Sequence, residues 1–228
     1  MDHPGATSGQ GPTSGQEETS GREETSGPGA TSSPGANSGP GANSGERSPT
    51  VEVRRRRTAE LRADDLRAAR ELLDDAYGTR FGEEDWEHAL GGTHVLVLED
   101  GELVGHAAVV ERWLLHQERR IRTGYVEAVG VRTDRRRHGY AAAAMRAVEE
   151  IIDATEDLGA LADGTGIEGF YQRRGWLTWA GPTFVDSPAG VVWTPEDDGG
   201  VLVWRTPTSP PLDLAAPLGC DWREGDVW

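Results

Sequence analysis

Apolar residues are nearly missing from the first fifty positions of the chain and then return with clear periods. Val51 and Val53 alternate with polar neighbours, which predicts a short strand. Leu66, Ala69, Leu72, Leu73 and Ala76 follow at helical spacing behind Asp64 and Asp65, the candidate caps. A second short helix is expected over Glu83–Leu90, ended by Gly91 and Gly92. THVLVLE (Thr93–Glu99), an EDG turn and ELVGHAAVVERWLL (Glu102–Leu115) predict antiparallel strands joined by a hairpin. The next strand, Ile121–Val131, passes through the basic turn RTDRRRHG into a helix with Ala141, Ala144, Met145, Val148, Ile151 and Ile152 on one face. LGALAD (Leu158–Asp163) is then expected as a buried strand and IEGFYQRR (Ile167–Arg174) as a short helix stopped by Gly175. The remainder predicts two further strands between Pro-, Gly- and Asp-rich loops. The fold class is α+β, with a single mixed, mostly antiparallel sheet flanked by helices.

Residues 1–50 are built from Gly, Ser, Thr, Pro, Ala and Glu in short units such as EETSG and PGANSG, a composition that favours a solvated chain over a core. They are expected to be a disordered, passive extension ahead of one globular domain at 51–228. The formal charge of −16 divides into −4 before Val51 and −12 after it, so the acidity belongs to the domain. An acidic surface repels nucleic acid and anionic lipid and attracts polycations. The single cysteine, Cys220, forms no disulfide framework, and no Cys/His spacing matches a zinc site, so no metal is expected. Neither a membrane span nor a signal peptide is evident, and a cytoplasmic protein without a membrane partner is expected.

The strand–turn–helix unit at Val129–Met145 contains RRHGYA: Arg136, Arg137, His138, Gly139, Tyr140 and Ala141. Gly139 and Ala141 permit close backbone approach to an anion. The first amides of the helix converge there with the positive end of its dipole, which suits a pyrophosphate. The run Arg135–Arg137 could also contact RNA, but the acidic remainder of the domain and the lack of interleaved aromatics argue against nucleic acid.

In this context the unit resembles the acetyl-CoA site of the GNAT superfamily of N-acetyltransferases. EDWEHALGG (Glu84–Gly92), GYVEAV (Gly124–Val129), YQRRGW (Tyr171–Trp176), TPEDDG (Thr194–Gly199) and CDWREGDVW (Cys220–Trp228) are similar, within it, to the aminoglycoside 2'-N-acetyltransferases. The resemblance spans Val51–Trp228 and implies a GNAT fold and direct acetyl transfer from acetyl-CoA to an aminoglycoside amine. It implies that Val129, Gly130 and Val131 pair with the pantetheine arm of coenzyme A, with a backbone N–H near Val129 polarising the thioester. Glu127 would be the base, acting through water, and Tyr171 the acid for the departing thiolate. Glu127 interrupts an apolar strand, on a face expected to be shared with Tyr125, Val129 and Val131. Asp85, Glu127, Asp197, Asp226 and the terminal carboxylate of Trp228 would accept the ammonium groups of the acceptor, with Ala128 contributing backbone. The family usually forms homodimers.

Four positions depart from the family pattern: Arg80 replaces an acidic residue, Ala128 a glycine, and Ala162–Asp163 a pair of serines. A guanidinium at Arg80 would repel a polycation, and Asp163 could compensate for it. The alternatives are a GNAT enzyme acetylating a cell-wall amino sugar, a polyamine or a protein N-terminus, and a non-catalytic module that holds coenzyme A or an aminoglycoside. His94 and His106 stand singly in apolar strand patterns, as packed or surface imidazoles, and receive no role.

Overall fold

The computed structural model describes residues 48–164 and 169–228. The extension expected to be disordered, residues 1–50, lies outside the described residues except for its last three. Of these, Thr50 is already held, its carbonyl accepting from Asp100 N and its own N–H donating to the Asp100 carboxylate, both at 2.9 Å. Among the described residues the chain runs β1 (Val51–Arg57), α1 (Ala63–Tyr77), α2 (Glu83–Ala89), β2 (Thr93–Glu99), β3 (Glu102–His116), β4 (Arg119–Val131), α3 (Tyr140–Thr155) and β5 (Leu158–Ala162). It continues through β6 (Leu177–Thr178), β7 (Thr183–Ser187), β8 (Gly190–Trp193), β9 (Val201–Arg205) and β10 (Leu218–Asp221). No described helix is long and apolar enough to cross a membrane.

These strands form one mixed sheet in which only β4/β5 and β10/β7 pair in parallel. β3 carries the sheet's branch point, because one of its edges pairs with β2 along the first half and with β10 near the end, while β4 pairs along its other edge. The hairpins at either end of β3 turn on residues of positive φ, Asp100–Gly101 and Gln117–Glu118, the geometry that matches strand twist in two-residue turns. α3 lays Ala144, Met145, Val148 and Ile152 on the sheet against Val95, Val97, Ala107, Val109 and Val126. Each bulky side chain so buried stabilises the fold by about 1.5–3 kcal/mol. The approach is close because Gly124 has no side chain: a Cβ there would stand 2.8 Å from Ile152 Cγ1.

Three local expectations change. The cap of α1 is Arg62, and Asp65 lies inside the first turn with its carboxylate accepting from the Arg62 N–H at 3.2 Å. Gln172–Arg174 forms only one 3-10 turn, stopped by Gly175 at φ +104, in place of the predicted helix; Ile167 and Glu168 lie outside the described residues. After it come five strands where two were predicted, because β6, β8 and β10, of two, four and four residues, are too short to show a period of their own.

Candidate active site

β4 and β5 pair only over Thr123–Tyr125 against Leu158–Ala160, so among the described residues the second half of β4 has no paired strand on that edge. On the other edge the register to β3 slips between His106 and Ala108, leaving an extra residue on β4. Ala128 occupies this bulge with φ +52. The bulge changes the parity of the strand. Tyr125 packs with one core cluster, whereas Val126, Val129 and Val131 pack with the cluster around α3. Glu127 therefore does not share a face with Val129 and Val131, contrary to the simple alternation, although it still adjoins Tyr125.

Two cavities open along this stretch. The first, of about 520 Å³, is lined by Val129, Gly130 and Val131 of β4, by Arg136, Arg137, Gly139, Tyr140 and Ala141 of the basic turn and α3, and by Phe170 and Tyr171. Gly139, at φ +86, begins α3, and a Cβ on it would meet nothing within 4 Å, which leaves open space over the first amides of a sixteen-residue helix. The Arg136 guanidinium donates to Ala76 O at 2.8 Å, bracing the turn against the end of α1. Arg135 leans away toward Glu99 and Glu102. His138 is off the cavity wall; its Nδ1 donates to Arg136 O at 2.8 Å and its ring stacks on Tyr140. The residues present fit a ligand with a pyrophosphate at one end and an extended arm along a free strand edge.

The second cavity, about 240 Å³, is lined by Asp85 and His88 of α2, Tyr125, Glu127 and Ala128 of β4, Ala162, and Arg223, Asp226 and Trp228 of the last segment. The two cavities meet at Tyr77, Arg80, Val129 and Tyr171, which line both. Tyr171 is buried, held edge-on by Phe170 and Trp176, and burial pushes its phenol well above the usual range. Its segment is tied to α3 by Glu149, whose carboxylate accepts from Arg174 at 2.8 and 2.6 Å and from Trp176 Nε1 at 3.0 Å.

Glu127 is largely buried, and burial raises its carboxyl, opposed chiefly by Arg223. Arg223 Nη1 donates to Glu127 Oε1 at 2.5 Å, while its other nitrogens donate to the main-chain oxygens of Asp226 at 2.6 Å and Trp228 at 2.9 Å. This clasp, with Trp228 Nε1 on Thr194 Oγ1 at 3.0 Å, keeps the Asp226–Trp228 stretch on the cavity rather than frayed. Asp85 reaches the wall while its Oδ2 accepts from the Gly82 N–H at 2.7 Å, in the first turn of α2. Asp197 is off the wall, half-buried in a 3-10 turn; burial and then the charge of Asp226 raise its carboxyl. Arg80 is on the wall, in both cavities. Sequence reasoning missed Arg223, although it lies inside the CDWREGDVW motif, and missed Tyr125. The Tyr125 hydroxyl is buried with no hydrogen-bond partner among the described residues, beneath the guanidinium groups of Arg112 and Arg223, 5.0 and 5.6 Å from its ring centroid. No group of three or more His, Cys, Asp or Glu among the described residues could hold a metal ion.

Residues 56–176 match the model of the acetyltransferase (GNAT) family. The chain belongs to that family. An aminoglycoside 2'-N-acetyltransferase of Mycolicibacterium fortuitum is 47% identical over 173 residues, covering 75% of this chain and 89% of the relative. Among solved structures, the GNAT family N-acetyltransferase YhbS from Escherichia coli, in complex with CoA, superposes with a TM-score of 0.51 at 12% identity, over 75% of this chain and 88% of that one. Eis1 from Mycobacterium abscessus is 22% identical with a TM-score of 0.48, and this chain spans 33% of its length. The splayed β4, the bulge and the glycine-opened α3 are thus parts of a GNAT acetyltransferase, and the cavities described above are its candidate cofactor and acceptor sites.

Proposed function

We propose that the enzyme transfers the acetyl group of acetyl-CoA to the 2'-amine of aminoglycosides. The observation that carries this is the meeting of two cavities at Val129 and Tyr171: one with Arg136, Arg137 and the first helix amides, the other with the carboxylates of Glu127, Asp85 and Asp226 beside Arg80 and Arg223. The 47% identity to a protein of that name supports the choice of acceptor. Acetyl-CoA supplies the acetyl group on a thioester, with its pyrophosphate at Gly139–Ala141 and its pantetheine arm along Val129–Val131.

An ammonium has no lone pair, so the acceptor nitrogen reacts only after losing a proton. Glu127 takes that proton through water and passes it to solvent. Tyr171, whose burial keeps it protonated across the working pH range, gives its proton to the departing sulfur and recovers one afterwards. The Val129 N–H stabilises negative charge on the thioester oxygen. Asp85 and Asp226 hold the other ammonium groups, with Tyr125 offering the acceptor a hydroxyl. The main-chain oxygen of Trp228 serves them too, and Asp197 contributes through the field it shares with Asp226. We take the enzyme to be a homodimer, as the resemblance implies, and, on the composition of the chain, a cytoplasmic protein in which residues 1–50 are a passive extension.

The test is thiol release from acetyl-CoA with aminoglycosides that carry or lack a 2'-amine. Turnover confined to the 2'-amine set is expected. Turnover with polyamines or amino sugars alone would replace the acceptor, and binding of acetyl-CoA without turnover of any amine would favour a binding module.

A further inference from the structure

His94 of β2 and His106 of β3 are both fully buried, yet neither lines a cavity. They form a continuous hydrogen-bonded row that ends on the bulge. His106 Nδ1 meets Ala128 O at 2.9 Å, His94 Nδ1 meets His106 Nε2 at 2.9 Å, and Thr58 Oγ1 meets His94 Nε2 at 2.9 Å. The Thr58 oxygen in turn accepts from Gly91 N at 2.9 Å. A carbonyl oxygen only accepts, so His106 must carry its proton on Nδ1. Its Nε2 then accepts from His94 Nδ1–H, and His94 Nε2 accepts from the Thr58 hydroxyl. Every member is satisfied with both rings neutral, and burial does hold both well below the usual histidine range. Trp86 of α2 packs against both rings, at 6.3 and 6.5 Å between centroids.

The row decides where one amide points. In a trans peptide the C=O and the following N–H are antiparallel. With the Ala128 carbonyl turned to His106 on the β3 side, the Val129 N–H is turned to the opposite edge of β4, where β5 has parted and the two cavities meet. Neither ladder pairs Val129. The bulge does not hold this orientation by its own preference, since an alanine at φ +52 lies about 1–2 kcal/mol above the ordinary regions.

We propose that the His94–His106 pair is a positioning device for acetyl transfer: from the β3 side it fixes the Ala128–Val129 peptide so that the Val129 N–H is preorganised to polarise the thioester carbonyl. The proposal rests on the acetyl-CoA assignment of the larger cavity. A donor that must be aimed before the reaction contributes to the rate rather than to ground-state binding.

Two substitutions separate aiming from packing. In His106→Asn the amide nitrogen takes the place of Nδ1, which keeps the donor to Ala128 and strands His94. In His106→Gln the amide takes the place of Nε2, which keeps a partner for His94 and strands the Ala128 carbonyl. If the pair aims the amide, His106→Gln lowers kcat about 10²-fold, the scale of losing one oxyanion donor, with the KM for acetyl-CoA within about threefold, and His106→Asn retains most of kcat. The carbonyl band of acetyl-CoA labelled with carbon-13 at the carbonyl, bound without acceptor, moves to lower wavenumber on wild type and His106→Asn but not on His106→Gln.

Equal losses in the two variants, or an unchanged band in folded His106→Gln, would overturn the proposal. Wild-type protein that binds acetyl-CoA with no band shift would do the same while leaving the cofactor site in place. Wild-type protein that binds no acetyl-CoA at all would remove the assignment of the cavity, and the proposal with it. Should His106→Gln fail to fold, Ala128→Pro, which needs φ near −65° and so breaks the bulge conformation, is expected to lose kcat and the band shift together, and retention of either would refute the proposal.

Discussion

Arg223 sets the basicity of Glu127, and replacing it with glutamine measures by how much. Glu127 is shut in by Tyr125 and the closing segment, and burial alone lifts its carboxyl; the guanidinium at 2.5 Å pulls it back. Two unit charges about 4 Å apart at an effective dielectric of 20 interact by about 4 kcal/mol, or a ceiling of about 3 pKa units. Water entering the space left by the guanidinium reduces this, so a rise of about 1–2 units is expected in Arg223→Gln and much less in Arg223→Lys, which keeps the charge. The assay is a titration of the carbon-13 carboxyl resonance of Glu127, identified by its loss in Glu127→Gln, on the unliganded protein. In kcat/KM the same group appears as a second break on the acid limb, below the ionisation of the acceptor amine, and that break moves up by the same amount. A midpoint that stays in place or falls in Arg223→Gln would refute the reasoning, because burial would then not be opposed by this charge.

Four further outcomes are expected. Gly139→Val places a branched side chain at φ +86 and in the space over the first amides of α3, so the KM for acetyl-CoA rises at least tenfold while that for the acceptor changes little; initial-rate kinetics with each substrate varied check this. Arg80→Asp removes a positive charge from both cavity walls and lowers the KM for a polycationic acceptor several-fold at low ionic strength, an advantage that fades in high salt. The neutral His94–His106 pair contributes stability that is full above pH 6.5 and is lost as the pH falls toward folded values of about 4 and 3, because the unfolded chain binds the two protons first. At pH 5 the loss is about 4 kcal/mol for the two together, measurable by urea unfolding at pH 8 and pH 5. Glu149→Ala strands the Arg174 guanidinium and the Trp176 N–H, lowering stability by about 3 kcal/mol in the same assay and loosening the segment that carries Tyr171.

The periodic elements were legible because burial imposes its period on the side chains. α1, α3 and the long strands β2 to β4 follow from spacing alone, and the turn at Arg136–Ala141 follows from the residues a backbone needs to approach an anion. Glu127 and Tyr171 were reachable through motif resemblance; Tyr171 stands on the wall of both cavities and Glu127 on the wall of the smaller one. Short elements carry too few residues to show a period, which is why three strands of the second half and the single turn before Gly175 escaped. The bulge at Ala128 was hidden for another reason: one extra residue on β4 is defined only by what β3 does opposite it, and it reverses the parity that alternation assigns to Val129 and Val131. Charge pairing is equally non-local. Arg223 and Glu127 are 96 positions apart, and nothing in either segment states that one neutralises the other. His94 and His106 look like isolated polar residues in apolar strands until β2, β3 and β4 are laid side by side. Sequence determined which residues could do chemistry; the pairing of strands decided which of them face one another.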